Sequence, residues 1–207
     1  MRVCEHFRSI QGEGLMMGAP TYFVRTVGCN LSCSWCDTKY AMEGGIEMSL
    51  PDIMEKIGDL RNVCLTGGEP LLQADSPELL EMLRDSGKRV VLETNGSIDV
   101  SRMPNWDELI ISMDIKCPSS GMSDRMLMSN ILVLAEKDQL KFIISDNIDL
   151  NHATMFMSEH PSPANVIFSP VGGIDLKTLA ESVITRGLDV RVLPQLHKII
   201  WDCDRGV

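Results

Sequence analysis

The sequence predicts an α/β fold of parallel strands joined by helical crossovers, and three observations predict it. Short apolar, β-branched runs recur along the chain, helical patterns with clear start signals separate several of them, and polar residues collect just after most runs. The runs are TYFVRTVG (21–28), NVCLTG (62–67), RVVLETNG (89–96), ELIISMD (108–114), LKFIIS (140–145), NVIFSP (165–170) and LDVRVLP (188–194). Each reads as a strand buried on both faces, which parallel packing between helices requires. Alternation of this kind gives either an open doubly wound sheet or a full or partial β/α barrel.

Three helices are marked by their first residues. Ser49 caps LPDIMEKIGDL; Ser76 is the expected cap of a second helix, with Pro77 at its first position and Gly87 as its stop; Asp175 opens LKTLAESVITRG. Helical signals after the third and fourth runs are weak, which fits a reduced barrel.

The chain has 207 residues, 44% of them hydrophobic, a size that fits one domain spanning 1–207. No run approaches the ~20 apolar residues of a membrane span, and no signal segment precedes the first run, so a cytoplasmic protein with reduced thiols is expected. A net charge of −10 argues against a nucleic-acid surface and for a small-molecule substrate.

The strand ends carry the chemistry. Thr66, Gly67, Gly68, Glu69 and Pro70 follow the second run; Thr94, Asn95 and Gly96 the third; Ser112, Asp114 and Lys116 end the fourth. Ser145, Asp146 and Asn147 end the fifth, Ser169 and Pro170 the sixth, and Gln195, His197 and Lys198 follow the seventh. In parallel α/β folds the ligand mouth lies at these carboxyl ends, although ordinary turns favour the same residue types.

Cys29, Cys33 and Cys36 fall in the loop after the first run. Three thiolates without a fourth point to an iron–sulfur cluster with one open iron. Structural zinc needs four ligands, and Cys4, Cys64, Cys117 and Cys203 are scattered singly with no partner His motif, so zinc would need a distant ligand. The odd cysteine count disfavours a disulfide framework.

The Cys-x-x-x-Cys-x-x-Cys loop and the Gly67-Gly68-Glu69-Pro70 segment, in this order, resemble the radical S-adenosylmethionine (SAM) enzymes. Ser9-Ile10-Gln11-Gly12-Glu13-Gly14, Phe23-Val24-Arg25, Asp37-Thr38 and Gln195-Leu196-His197-Lys198 are further similar to the 7-carboxy-7-deazaguanine synthase family. The resemblance implies an abbreviated β/α barrel, usually dimeric, that turns 6-carboxy-5,6,7,8-tetrahydropterin into 7-carboxy-7-deazaguanine and ammonia. It implies a [4Fe-4S] cluster on Cys29, Cys33 and Cys36, SAM, Mg2+ at Thr38, and an external one-electron donor of the flavodoxin or ferredoxin type.

By position, Ile10, Gln11, Gly12, Arg25 and Thr66 would meet the pterin, with Arg25 on its carboxylate. Trp35, Cys36, Asp37, Gly68, Ser112, Met113, Asp114, Ser169, Pro170 and Val171 would line SAM, and Glu69 would fix the second loop. Arg25 could instead hold a buried glutamate, and Thr38 could be a helix cap. Two other readings share the cysteine loop: an activase of a glycyl radical enzyme, and a non-catalytic iron–sulfur or zinc module. The segment after Lys198 runs on through Val207, which leaves open what closes the pocket.

Overall fold

The computed structural model describes residues 1–171, 175–202 and 204–206. Its strands are β1 (Arg2–Ile10), β2 (Pro20–Thr26), β3 (Ile46–Glu47), β4 (Asn62–Gly67), β5 (Arg89–Thr94), β6 (Leu109–Ile115), β7 (Gln139–Ile144), β8 (Asn165–Pro170) and β9 (Arg191–Val192). They form one sheet in the order β3-β1-β2-β4-β5-β6-β7-β8-β9. From β2 to β9 all neighbours are parallel, whereas β1 pairs antiparallel with both β2 and β3. The chain after β9 reaches the loop after β1 without strand pairing, with Leu196 N donating to Gly12 O at 2.9 Å. The result is the abbreviated barrel, one of the architectures that the alternation allows and the one that the resemblance implies.

All seven predicted runs contain strands, but LDVRVLP shrinks to two paired residues, and β1 and β3 lie outside the predicted runs. The helices are α1 (Leu50–Ile57), α2 (Ser76–Asp85), α3 (Asn147–Glu159), α4 (Leu176–Arg186) and α5 (Leu196–Trp201). Ser49 and Asp175 cap as expected, accepting from Asp52 N and Thr178 N. Ser76 does not cap α2: the cap position is Asp75, and Ser76 is already helical, its buried hydroxyl donating to Pro70 O at 2.5 Å. Short 3-10 turns replace a full helix between β6 and β7, and β5 runs to β6 without any helix.

Register explains where the core sits. The outward faces of β2, β4 and β5 present Tyr22, Val24, Val63, Leu65, Val90 and Leu92 to Ile53 and Ile57 of α1 and to Leu79, Leu80 and Leu83 of α2. The outward faces of β6, β7 and β8 present Met113, Ile115, Phe142 and Phe168 to Leu150 and Phe156 of α3 and to Leu179 of α4. Each of these leucines stabilises the fold by about 1.5–3 kcal/mol relative to an exposed one.

The inward face is layered. Phe7, Phe23, Cys64, Val91 and Ile110 form an apolar floor, with the Phe7 and Phe23 rings stacked 5.0 Å apart. Two residues later on the parallel strands, and two residues earlier on the antiparallel β1, the same face turns polar: Glu5 lies opposite Arg25, Arg25 opposite Thr66, and Glu93 opposite Ser112. The fold thus puts its oil outside and its charges inside.

Candidate active site

A cavity of about 790 Å³ opens above this polar layer. Its wall includes Ile10, Gln11, Gly12, Arg25, Thr66, Gly68 and Asp114, all three loop cysteines, and Trp35, Asp37, Thr38 and Val171. Met113, Ser112, Ser169 and Pro170 do not line it. Met113 points into the outer core, because it alternates with the inward Ser112 and Asp114. Ser112 is consumed in the lumen by Gln139 Nε2 at 2.6 Å, and Ser169 is almost fully covered. Ser145, Asp146 and Asn147 are also spent elsewhere. Asp146 caps α3, accepting from Ile148 N and Asp149 N. There the turn explanation wins. Cys203 and Val207 lie outside the described residues.

The cysteine loop is tied to a scaffold on its far side. Ser34 N donates to Ser120 O at 3.1 Å, Trp35 Nε1 donates to Ser119 Oγ at 3.1 Å, and Ser119 N in turn donates to Asp149 of α3. The three thiols are free and half-buried, and all three residues line the cavity. Leu31 N points at Cys29 Sγ from 3.5 Å and Asn95 Nδ2 from 3.6 Å, the sort of donors that support a metal-bound thiolate. Burial pushes the Cys33 thiol up, against the opposing pull of Lys116.

Gly68 has no room for a side chain, since a Cβ would fall 2.1 Å from Gly28 O. Glu69, wholly buried, accepts from Asn95 N at 2.7 Å, Leu71 N at 3.0 Å and Thr94 Oγ1 at 3.0 Å. One carboxylate therefore locks the loops after β4 and β5 together, the fixing role expected of it. Burial raises its pKa, and the N–H donors only partly offset this.

Arg25 also lines the cavity, and its Nε donates to Glu5 Oε1 at 2.7 Å, so the salt bridge considered for it exists. Its terminal nitrogens make no hydrogen bond among the described residues, and the side chain remains on the cavity wall. Thr66 Oγ1 donates to Glu93 Oε2 at 2.9 Å, and Gln11 Nε2 reaches Glu93 Oε1 at 3.4 Å. Lys116 contacts Asp114 at 2.9 Å and lies over the Trp35 ring. Lys141 contacts Glu13 at 2.6 Å and approaches Asp114 Oδ1 at 3.3 Å, an ion pair without hydrogen-bond geometry. Burial disfavours the Asp114 carboxylate, but the two lysines overrule it and hold its pKa down to about 2. Gln195 links Glu13 to Lys198, and Lys198 reaches Asp37.

Glu5, Glu13, Glu93, Tyr40 and Lys141 were not among the expected site residues. The available signal was a charge inside a buried run, as in VVLE and LKFII, which is costly unless the strand faces a polar lumen.

Comparison with known proteins places this geometry. The Radical SAM superfamily model matches residues 23–119, which include the cysteine loop, β4 and β5. A 7-carboxy-7-deazaguanine synthase of Thermoplasma acidophilum is 41% identical over 209 residues, covering 100% of both chains, and one of Methanospirillum hungatei is 41% identical over 97% of this chain and 85% of the relative. The chain belongs to the 7-carboxy-7-deazaguanine synthase family. A crystal structure of QueE from Escherichia coli has the same fold, with a TM-score of 0.77 at 23% identity over 95% of this chain and 94% of that one. As a member of the radical SAM 7-carboxy-7-deazaguanine synthase family, the protein is an enzyme that uses a [4Fe-4S] cluster and SAM. The donor set fits the cluster in its chemistry: three free thiols line the cavity, N–H donors face Cys29, and Gly68 packs closely against Gly28 and Cys29, although among the described residues the three thiols are not gathered around a single metal-sized point.

Proposed function

We propose that the protein converts 6-carboxy-5,6,7,8-tetrahydropterin to 7-carboxy-7-deazaguanine with release of ammonia, in 7-deazapurine biosynthesis. The observation that carries this reading is that Arg25 and the three cysteine thiols wall one cavity, in a chain that matches 7-carboxy-7-deazaguanine synthases over its whole length.

In this reading Cys29, Cys33 and Cys36 hold the cluster, and the backbone at Gly68 with Trp35, Asp37, Asp114 and Val171 flanks SAM. Bound together, cluster and SAM supply one-electron cleavage and hydrogen-atom abstraction. Arg25 offers its outer guanidinium nitrogens, unbonded among the described residues, to the substrate carboxylate, a planar charge-assisted pairing. Glu93, steadied by Thr66 and Gln11, faces the pterin's N–H groups as an acceptor. The apolar floor and the buried ion pairs keep the lumen rigid and exclude bulk water, which orients the reacting centre and limits side reactions.

Mg2+ belongs at Thr38, whose hydroxyl donates its proton to Asp37 Oδ1 at 2.8 Å and keeps its oxygen lone pairs for a cation. The reading also takes the chain as one cytoplasmic domain that acts as a homodimer and receives electrons from a flavodoxin or ferredoxin. Among the described residues no helix is long and apolar enough to cross a membrane.

The test is anaerobic incubation of the reconstituted enzyme with the carboxytetrahydropterin, SAM and a chemical reductant. The expected result is the deazaguanine acid with one ammonia per product. Cleavage of SAM without any change in the pterin overturns the assignment.

A further inference from the structure

The chain after α5 returns to the cavity, and Asp202, Asp204, Arg205 and Gly206 join its wall. The Arg205 guanidinium carbon lies 3.8 Å from the centre of the Tyr40 ring, a close cation–π stack. The Tyr40 hydroxyl donates to Glu5 Oε1 at 2.8 Å, the same oxygen that accepts Arg25 Nε at 2.7 Å. Arg205, Tyr40, Glu5 and Arg25 therefore form one contact chain from the tail to the floor of the mouth. None of its links is local in sequence.

We propose that Arg205 is a positioning residue that selects for a carboxylate-bearing substrate by acting through Tyr40 and Glu5 on Arg25. This rests on the reading that Arg25 receives the substrate carboxylate.

The physical reason lies in the shared oxygen. Glu5 alone would compete with an incoming carboxylate for Arg25, because both are anions seeking the same guanidinium. Tyr40 takes up part of the Glu5 charge and holds its carboxylate to one side, so Arg25 is engaged through Nε and its outer nitrogens stay available. Burial and the hydrogen bond to Glu5 push the Tyr40 pKa up to about 12, against the lowering pull of Arg25, so the phenol keeps the proton that it donates. Arg205 fixes the ring plane from above, and its charge makes the hydroxyl a stronger donor.

The experiment measures equilibrium binding to the reconstituted, unreduced enzyme with SAM present, by calorimetry. Two ligands are compared: the 6-carboxytetrahydropterin and a tetrahydropterin lacking the carboxylate. Arg205→Ala is expected to weaken the acid about tenfold, the size of one cation–π contact, and to leave the carboxylate-free ligand unchanged. Arg205→Lys retains a cation over the ring and is expected to recover most of the loss. Tyr40→Phe, which keeps the ring and removes the hydroxyl, is expected to match Arg205→Ala. In an Arg25→Gln background, Arg205→Ala is expected to add nothing.

Equal weakening of both ligands by Arg205→Ala means that the tail only shapes the pocket, and overturns the proposal. So does unchanged binding of the acid by Arg205→Ala while Arg25→Gln loses its preference for it. If Arg25→Gln keeps the preference, the reading of Arg25 itself falls, and the proposal falls with it.

Discussion

Lys198 Nζ sits 3.0 Å from Asp37 Oδ2, joining the helix that follows the last strand to the residue after the third cysteine. Burial alone would raise the Asp37 carboxyl, but Lys198 and the Thr38 hydroxyl overrule it and hold it below the usual carboxylate range. A depressed carboxyl contributes stability above its unfolded pKa and loses it as pH falls through the folded one.

Replacing Lys198 with Met is therefore expected to move the Asp37 titration upward, toward or above its unfolded value, so that this group's acid-side loss of stability shrinks or disappears. The pair is about half exposed, and its removal costs less than about 1 kcal/mol at neutral pH. Carboxyl-detected NMR titration of parent and variant checks both the direction and the shift. An unchanged Asp37 titration would show that the contact is not held in solution.

The cysteines divide by position. Cys33→Ala, or the same change at Cys29 or Cys36, is expected to abolish bound iron and sulfide and the visible absorbance after anaerobic reconstitution. Cys64→Ala, in the apolar floor, is expected to retain the full iron content and to lose only about 1 kcal/mol of stability. Iron and sulfide analysis of the set decides; iron loss on changing Cys64 contradicts the assignment.

Glu69 is a structural lock. Glu69→Ala removes the acceptor for two backbone N–H groups and the Thr94 hydroxyl, all in a covered environment. Leaving buried donors unpaired costs about 1–3 kcal/mol each. A total loss of about 3 kcal/mol is expected in denaturant unfolding, together with weakened SAM binding, because the loops after β4 and β5 lose their common anchor.

In the outer core, Phe142 makes edge contacts with Phe156 at 5.5 Å and Phe168 at 5.4 Å and is fully buried. Phe142→Ala is expected to cost about 3–5 kcal/mol. Thermal melting of the protein before and after reconstitution checks this, and both forms should drop.

What the sequence made legible is what lies close together along it. The cysteine loop, the Gly-Gly-Glu-Pro turn and the caps at Ser49 and Asp175 are local patterns with local causes. β1 carries no strand signature because its inward Glu5 and Phe7 and its outward His6 and Arg8 give no clean alternation of apolar and polar residues. α3 has an ambiguous start because Asp146 and Asn147 suit a ligand mouth and a helix start equally. Lys141 meets Glu13 across more than a hundred residues, and Thr66 meets Glu93 through strand register, so neither pairing has a signature in either segment. The split of Ser112 from Met113 follows from alternation on a strand, which a motif read as three consecutive residues hides.

The stacked Phe7 and Phe23 rings belong to an apolar floor with Cys64, Val91 and Ile110, and the charged layer of Glu5, Arg25 and Glu93 stands one strand step above it. Below these charges there is oil, so a ligand group that meets them has only side chains to pair with on that side.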